Sequence, residues 1–499
     1  MPQAYVTLDA GTGGGKCVIF DNDGKVLGTH RESWSYDVRV DPEVPFVKEF
    51  SFDAPRFWEI LARCTRKALA QSGVQPGEIV GVAATSQREG CVFVDARGEE
   101  VYAGPNLDAR GFREGLDVLG AIGSERLYRI TGHSAPFIFP LSRYLWFRKH
   151  SNLSVAHLLM INDWITWRLS GIVAAEPSNA TESMLFDLER RCWSQEILSA
   201  FDIPHDMLPP IRRCGERVGQ ITAQAAAATG LSQGTPVFIG GADTQCSLLG
   251  AGAINVGATA ATLGTTTPLQ TVLDHAVFDP QSTLWAGCHV VPDRWVLESN
   301  VGDTGDAYLW LLDIVSGGAS REKALALGER LAAEGTETPA MMFVGPTIFN
   351  LNKMALNRPG GILFPFPSLH VRPSRANFVR AFMENVAFAI RANLEQIRTT
   401  VGAPLQELTL SGGMSRSGAL THAIADVTGT DVRVTRQAES AALGCAILIR
   451  AAEDCGIEAA VKAMVQHDRI APNPEAHAGY APSYAKWREL DEKLHDMEI

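Results

Sequence analysis

Cysteine is sparse and unpaired in this sequence. Nine cysteines lie scattered over 499 residues, odd in number and never arranged as C-x-x-C, which argues against a disulfide framework or a Cys-type zinc site and for a reducing compartment. Positive charge is also short: 44 Lys+Arg stand against 56 Asp+Glu, a formal net charge of −12 with no dense basic block. Binding to nucleic acid needs a surface that neutralises phosphates, so nucleic acid is not an expected partner. The first residues, Met1-Pro2-Gln3-Ala4-Tyr5-Val6-Thr7-Leu8-Asp9, have no basic segment and reach an Asp before an apolar signal core forms, and the expected location is cytoplasmic. Gly 46 and Pro 26 stay well under the roughly 25–30% of low-complexity chains. One uncharged stretch, residues 244 to 273, exceeds the ~20 residues of a membrane-spanning helix. Its Gly, Ala and Thr content, Asn255 and the run Thr265-Thr266-Thr267-Pro268 read instead as strands and tight turns, so no membrane association is expected.

What is present is ordinary globular composition, 46% hydrophobic and 20% charged, with length for about three domains or two large ones at ~150 residues each. Tyr5 to Asp21 reads as strand, Gly-rich turn, strand, and Asn22-Asp23-Gly24-Lys25 leads to a third strand at Val26-Leu27-Gly28. Apolar positions 57, 60, 61, 64 and 68 mark a helix over 55–71 that stops at Gly73. A buried strand, Ile79 to Ala84, runs into the polar Thr85-Ser86-Gln87-Arg88-Glu89-Gly90 and a further strand, Cys91 to Val94. Helical patterns follow around 111–130, 141–150 and 157–169. The strand Pro236 to Gly241 ends at Ala242-Asp243-Thr244, and a second strand–turn–strand unit over 258–266 echoes the opening one. This degenerate repeat predicts a bilobal α/β protein with a cleft between lobes. The expected divisions are 1–250, 251–455 and a C-terminal helical extension, 456–499, whose residues 482–499 form a charged surface helix.

Four sites carry chemistry. A turn with Gly11, Gly13, Gly14 and Gly15 exposes backbone N–H groups that suit a phosphate chain, with the Thr12 hydroxyl and Lys16 charge beside it. It lacks the G-K-[ST] ending of a Walker A loop, and a bare hairpin is the plainer alternative. Asp243 ends an apolar strand with no charged neighbour nearby in sequence, so it needs a partner or a task; a helix N-cap is the bland possibility. Leu410-Ser411-Gly412-Gly413-Met414-Ser415-Arg416-Ser417 joins a strand to a helix, and its paired glycines let a flat ring or a phosphate lie against backbone with Met414 as a soft apolar surface. Consecutive strand residues point to opposite faces, so Arg88 and Glu89 reach one ligand only if the strand has ended before them. Otherwise they form an exposed ion pair of little worth.

In order and context these pieces resemble the FGGY family of carbohydrate kinases, from about Tyr5 to Ala451. The resemblance implies a two-lobed actin-like, ribonuclease-H-like fold with an interlobe cleft. Asp9-Ala10-Gly11-Thr12 is similar to the first phosphate motif, Gly240-Gly241-Ala242-Asp243 to the second with its catalytic Asp, Gly264-Thr265 to the turn under the nucleotide phosphates, and Ser411-Gly412-Gly413-Met414 to the adenosine motif. Ser86-Gln87-Arg88-Glu89 is similar to the substrate-binding strand end of glycerol kinases. Within the family, Arg88-Glu89-Gly90, Asn106-Leu107-Asp108-Ala109-Arg110 and Glu176-Pro177-Ser178-Asn179-Ala180 look most like autoinducer-2 kinases, although Gln87 replaces that subgroup's Met. The resemblance implies ATP and Mg²⁺ as cofactors and a small polyhydroxylated substrate. It implies that Asp243 acts as general base and that Asp9 and Asp243 serve the metal. Arg88, Glu89, Asp108 and Asp243 are the implied substrate ligands, and Thr12, Gly13, Lys16, Gly264, Thr265, Gly412, Gly413, Met414 and Ser417 the implied nucleotide ligands. The substrate expected is a sugar, polyol or autoinducer-2-like molecule, with ketopentoses or glycerol as alternatives. The rival class is a catalytically inactive actin-like protein that binds sugar or nucleotide. A homodimer is one assembly compatible with the sequence.

Overall fold

Alternating apolar residues and tight turns at the N-terminus make an antiparallel meander, Ala4–Gly11, Gly14–Phe20 and Val26–Ser33. The computed structural model describes residues 3–42, 44–334, 340–350, 359–364, 373–403 and 407–497. The first strand is buried almost throughout because it lies inside a six-stranded sheet, where both faces are covered and a continuous apolar run is required. Two strands add in parallel on its other side, Ile79–Ser86 and then Pro236–Ala242, and Arg217–Gln220 closes the edge antiparallel.

The second sheet repeats this plan. Trp295–Asp303, Thr266–Leu273 and Thr259–Thr262 form its meander, Leu408–Ser411 and Val432–Thr435 add in parallel, and His467–Ile470 closes the edge antiparallel. One further strand, Trp285–Cys288, extends the meander side. The duplication expected from the two Gly-Thr hairpins is therefore present strand for strand.

Register then decides where chemistry sits. Asp9 is level with Thr85, and both Ala10 and Ala242 are level with Ser86, so three parallel strands end together. In the second lobe Thr262 is level with Ser411, and the turns that follow these strands carry Gly264-Thr265 and Gly412-Gly413. Ligands bind beyond the carboxyl ends of parallel strands because the chain must turn there and exposes backbone groups.

The lobes meet through the helices that follow the last parallel strand of each, Asp243–Gly250 and Ser440–Arg450. They cross at backbone contact: a Cβ on Gly250 would lie 2.0 Å from the Ser440 carbonyl oxygen, and one on Gly444 would lie 2.1 Å from that of Cys246. Beside this crossing the Cys246 and Cys445 sulfurs approach to 3.7 Å.

Three expectations change. The pattern over 111–130 is two helices, Phe112–Ile122 and Ser124–Thr131, broken at Gly123 with φ 84°. The pattern over 157–169 opens with a strand, His157–Met160, paired to Cys91–Val94, and only then becomes the helix Ile161–Ser170; a short apolar run such as Leu158-Leu159-Met160 suits either state until a partner strand is known. The C-terminal segment is built into the second lobe. His467–Ile470 is a strand of its sheet, and the terminal helix starts at Pro474, contains Pro482 and buries Trp487, whose Nε1 donates to Asn385 Oδ1 at 2.8 Å. Residues 498 and 499 lie outside the described residues. The uncharged stretch 244–273 carries the expected strands, Thr259–Thr262 and Thr266–Leu273, but opens in the helix Asp243–Gly250 and not in strand or turn, and among the described residues no helix is long and apolar enough to cross a membrane.

The helix crossing yields a test with a definite sign. At an open helix position Gly→Ala stabilises by ~1 kcal/mol. At Gly444 the added carbon meets backbone, and overpacking typically costs ~1–3 kcal/mol. Urea unfolding of Gly444→Ala should show lost stability; a stabilised variant contradicts the close crossing.

Candidate active site

A cleft of about 880 Å³ lies between the lobes, lined by Lys16 and Arg31 from the first and by Gly264, Thr265, Gly413, Met414 and Ser417 from the second. Six residues singled out from sequence therefore face one space. Gly412 takes φ 87°, and a Cβ there would sit 2.6 Å from the Leu263 carbonyl oxygen, whereas a Cβ on Gly413 would meet nothing within 4 Å. Conformational need thus falls on Gly412, and Gly413 supplies open room against the cleft. Ser417 caps the helix Gly418–Thr428: its hydroxyl accepts from the Leu420 N–H at 3.2 Å and donates to Glu329 Oε2 at 2.6 Å. Thr265 is exposed, while its carbonyl accepts from the Thr304 and Gly305 N–H groups at 2.8 and 3.0 Å, which sets the turn.

Lys16 stands opposite Asp9 across the first hairpin, with Nζ 3.0 Å from Asp9 Oδ2, and it pairs with Glu439 of the second lobe. Burial pulls the Lys16 pKa down, but the two carboxylates outweigh it and the net shift is upward, so the ammonium stays charged. Just beyond, Gly13 is exposed and Thr12 is tied to its neighbours. The Thr12 hydroxyl accepts from Asn106 Nδ2 at 3.0 Å, and its carbonyl accepts from Trp34 Nε1 at 3.1 Å and Tyr36 Oη at 2.5 Å. Gln87 completes the brace by accepting from the Asn106 N–H at 3.0 Å and donating to Tyr36 Oη at 3.3 Å.

Asp243 is the first residue of its helix and half-buried. The strand end before it is pinned by the Ala242 N–H donating to Ser178 Oγ at 2.9 Å, and Ser178 is held in turn by the buried Glu176. Burial above all, with repulsion from Asp9 and Glu89, pushes the Asp243 carboxyl up to about 7, against the pull of Arg88 and a hydrogen bond from Thr244 Oγ1 at 3.0 Å. A carboxylate tuned to neutrality can take a proton from a hydroxyl at physiological pH.

The strand Ile79–Ser86 has ended before Arg88, and Glu89 takes φ 56°, so both side chains can turn to one region. Arg88 crosses to the second lobe: Nη1 and Nη2 lie 2.8 and 2.9 Å from the two oxygens of Glu298, Nη1 is 3.6 Å from Glu182 Oε1, and the guanidinium sits 5.1 Å from the Trp285 ring centroid. Sequence reading missed Glu182, Glu298, Trp285 and Glu439. Asp108 is not brought into this group. It is fully buried and its carboxylate accepts from the Tyr102 hydroxyl, Arg110 Nε at 2.6 Å and the Phe50 N–H at 2.9 Å. With its own Arg110 two residues on, it locks a loop rather than presenting a free acceptor.

Comparison with known proteins agrees with this geometry. The FGGY carbohydrate kinase N-terminal domain model matches residues 4–250, and the C-terminal domain model matches residues 259–452. The chain belongs to the FGGY family of carbohydrate kinases. Among curated FGGY relatives it is 32% identical to the autoinducer-2 kinase of Salmonella typhimurium, over 97% of this chain and 93% of that one, and 31% identical to that of Escherichia coli K12 over the same shares. Its fold is similar to the xylulose kinase of Rhodospirillum rubrum (TM-score 0.85, 23% identity, 99% of each chain) and to Plasmodium falciparum glycerol kinase with ADP (0.83, 15%, 98% of each). The two-lobed actin-like architecture is thus established, as is carbohydrate kinase chemistry, for which ATP is the phosphoryl donor.

For Mg²⁺ the donor set of this FGGY kinase is suitable. The cation binds through one or two carboxylates, with water and substrate phosphates completing its shell, and the repulsion that Asp9 exerts on Asp243 is what a shared cation would relieve. A second group, His30, Glu32 and Cys64, is not suited, because Arg63 and Lys67 already pair with Glu32.

The raised Asp243 pKa carries a stability signature. Its folded value is about 7 against ~3.9 for an unfolded Asp. The folded state therefore holds the proton more tightly, a contribution complete below the unfolded pKa and lost as pH rises through 7. Asp243→Asn should raise the melting temperature at pH 8 much more than at pH 4. A shift independent of pH contradicts the assignment.

Proposed function

We propose that this chain transfers the γ-phosphoryl group of ATP to a hydroxyl of a small polyhydroxylated substrate, with Asp243 as general base. The observation that carries the reading is Asp243 itself, a carboxyl tuned to about 7 within electrostatic reach of Asp9, Arg88 and Glu89. Phosphoryl transfer passes through a loose transition state, so the protein chiefly aligns groups and balances charge. Thr12, Gly13 and Thr265 offer hydroxyl and backbone groups to the phosphates, Lys16 a cation beside them, and Gly412, Gly413, Met414 and Ser417 a wall for adenosine. Arg88 and Glu89 orient substrate hydroxyls while Asp243 accepts the proton of the attacking one. Mg²⁺, when bound near Asp9 and Asp243, supplies charge neutralisation on the phosphates.

An autoinducer-2-like molecule is the first substrate to test, because the curated relatives of that name match along nearly the whole chain. Ketopentoses and glycerol come next. An inactive binding protein would have no use for a carboxyl poised at neutrality. A coupled ADP-release screen over 4,5-dihydroxy-2,3-pentanedione, xylulose, ribulose and glycerol decides the matter, and ADP release independent of every compound contradicts the reading.

Two variants refine it. Asp243→Asn should lower kcat by ~10²–10⁴-fold, the usual contribution of a general base, with ATP affinity retained; turnover within threefold of wild type removes Asp243 from that role. Gly413→Val should fold normally, since its side chain points into open space, yet weaken ATP binding by calorimetry with little effect on substrate affinity. Unchanged ATP affinity would move the adenosine site elsewhere.

A further inference from the structure

The side-chain cluster around Arg88 holds more acid than one proton transfer needs. Glu298, Glu182 and Glu89 all act on Arg88, and Asp243 feels the same guanidinium. A second cation, Arg143, is fully buried and donates to the carbonyl oxygens of Gly104, Pro105, Ile138 and Glu89. His133 adds no charge, because burial first and then Arg88 hold its pKa down to about 3. Four carboxyl groups thus surround Arg88, of which Glu89 alone also feels Arg143, and burial raises the pKa of both Glu89 and Glu182, whose carboxyl groups share a hydrogen bond.

Two features show how a ligand would be received. The bidentate fork of Arg88, the natural receptor for a carboxylate or phosphate, is already filled by Glu298, which is fixed by Gln270 Nε2 donating to it at 2.7 Å. An anionic substrate must evict that carboxylate or lie against its like charge. Meanwhile Glu182 Oε2 and both His133 ring nitrogens make no well-aligned hydrogen bond although each residue is only 1% exposed, and His133 Nε2 stands 3.3 Å from Glu182 Oε2 beside Trp285. Buried polar atoms left without partners are costly, and hydroxyl groups, which both donate and accept, are the chemistry that satisfies a carboxylate and a neutral imidazole together.

Resting on the kinase reading above, we infer that this cluster receives an uncharged polyhydroxylated substrate and rejects sugar acids and sugar phosphates, with Glu298 and Glu182 as specificity-determining residues. Glu298 keeps the Arg88 fork closed to anions, and Glu182 with His133 receives substrate hydroxyls.

The test compares neutral and acidic partners of equal carbon number, xylitol with xylonate, glucitol with gluconate and glycerol with glycerate, by ADP release and by calorimetric binding to the wild-type chain. 4,5-dihydroxy-2,3-pentanedione, xylulose and ribulose serve as further neutral compounds. The best neutral compound should exceed every acid by at least 100-fold in kcat/KM. In Glu298→Gln, and separately in Glu182→Gln, the ratio of acid to neutral should rise at least tenfold. An acid that equals or outperforms its neutral partner in the wild type overturns the inference and leaves the kinase reading standing. Ratios unchanged in both folded variants overturn the assignment to these residues. ADP release with none of the compounds, from a folded protein that binds ATP, overturns the kinase reading and the inference together.

Discussion

Two helices touching backbone to backbone, Asp243–Gly250 against Ser440–Arg450, set the geometry on which the rest of the molecule relies. Each follows the last parallel strand of its lobe, so the crossing fixes the two sheets relative to one another and sets Glu439, at the start of one helix, in the cleft lining. One begins with Asp243 and the other directly follows Glu439. Lys16 then bridges Glu439 to Asp9, which ties the Gly-rich hairpin of one lobe to the start of the other lobe's helix. Were the helices a side chain further apart, Lys16 would no longer reach Glu439 across the cleft.

Charge in the site is arranged at some expense to stability. Asp243 is held where burial disfavours its charged form, and Glu89 and Glu182 are raised for the same reason. Such strain concentrates at functional sites because a group matched to its task is seldom at its most stable protonation state. It is offset by a rigid surround in which Ser178 holds the Ala242 N–H, Gln87 braces Asn106 and Tyr36, and Asp108 with Tyr102 and Arg110 fixes the adjoining loop. Asp108 thereby braces the loop beside the site through hydrogen bonds and its ion pair with Arg110.

Much of this was legible in the sequence where local chemistry forces a conformation. Gly-rich turns after apolar strands marked Gly11–Gly14, Gly264-Thr265 and Gly412-Gly413, and a lone carboxylate after an apolar strand marked Asp243. The duplicated hairpin foretold two similar sheets. Glu298, Glu182, Trp285 and His133 were hidden because each is a single polar or aromatic residue whose partners lie far off in sequence, so only tertiary pairing reveals it. The strand His157–Met160 was hidden for the same reason, since its identity depends on Cys91–Val94 beside it. The terminal helix looked like a surface element by its charges, yet Trp487 anchors it in the core.

The most direct measurement is a crystal structure of the chain with a non-hydrolysable ATP analogue and the substrate found by the ADP-release screen. The account predicts adenosine against Gly413-Met414, the γ-phosphate between Thr12 and Thr265, and the accepting hydroxyl within ~2.6–3.2 Å of the Asp243 carboxylate, the reach of a general base. A nucleotide bound outside the interlobe cleft, or a substrate hydroxyl presented to a group other than Asp243, would contradict it.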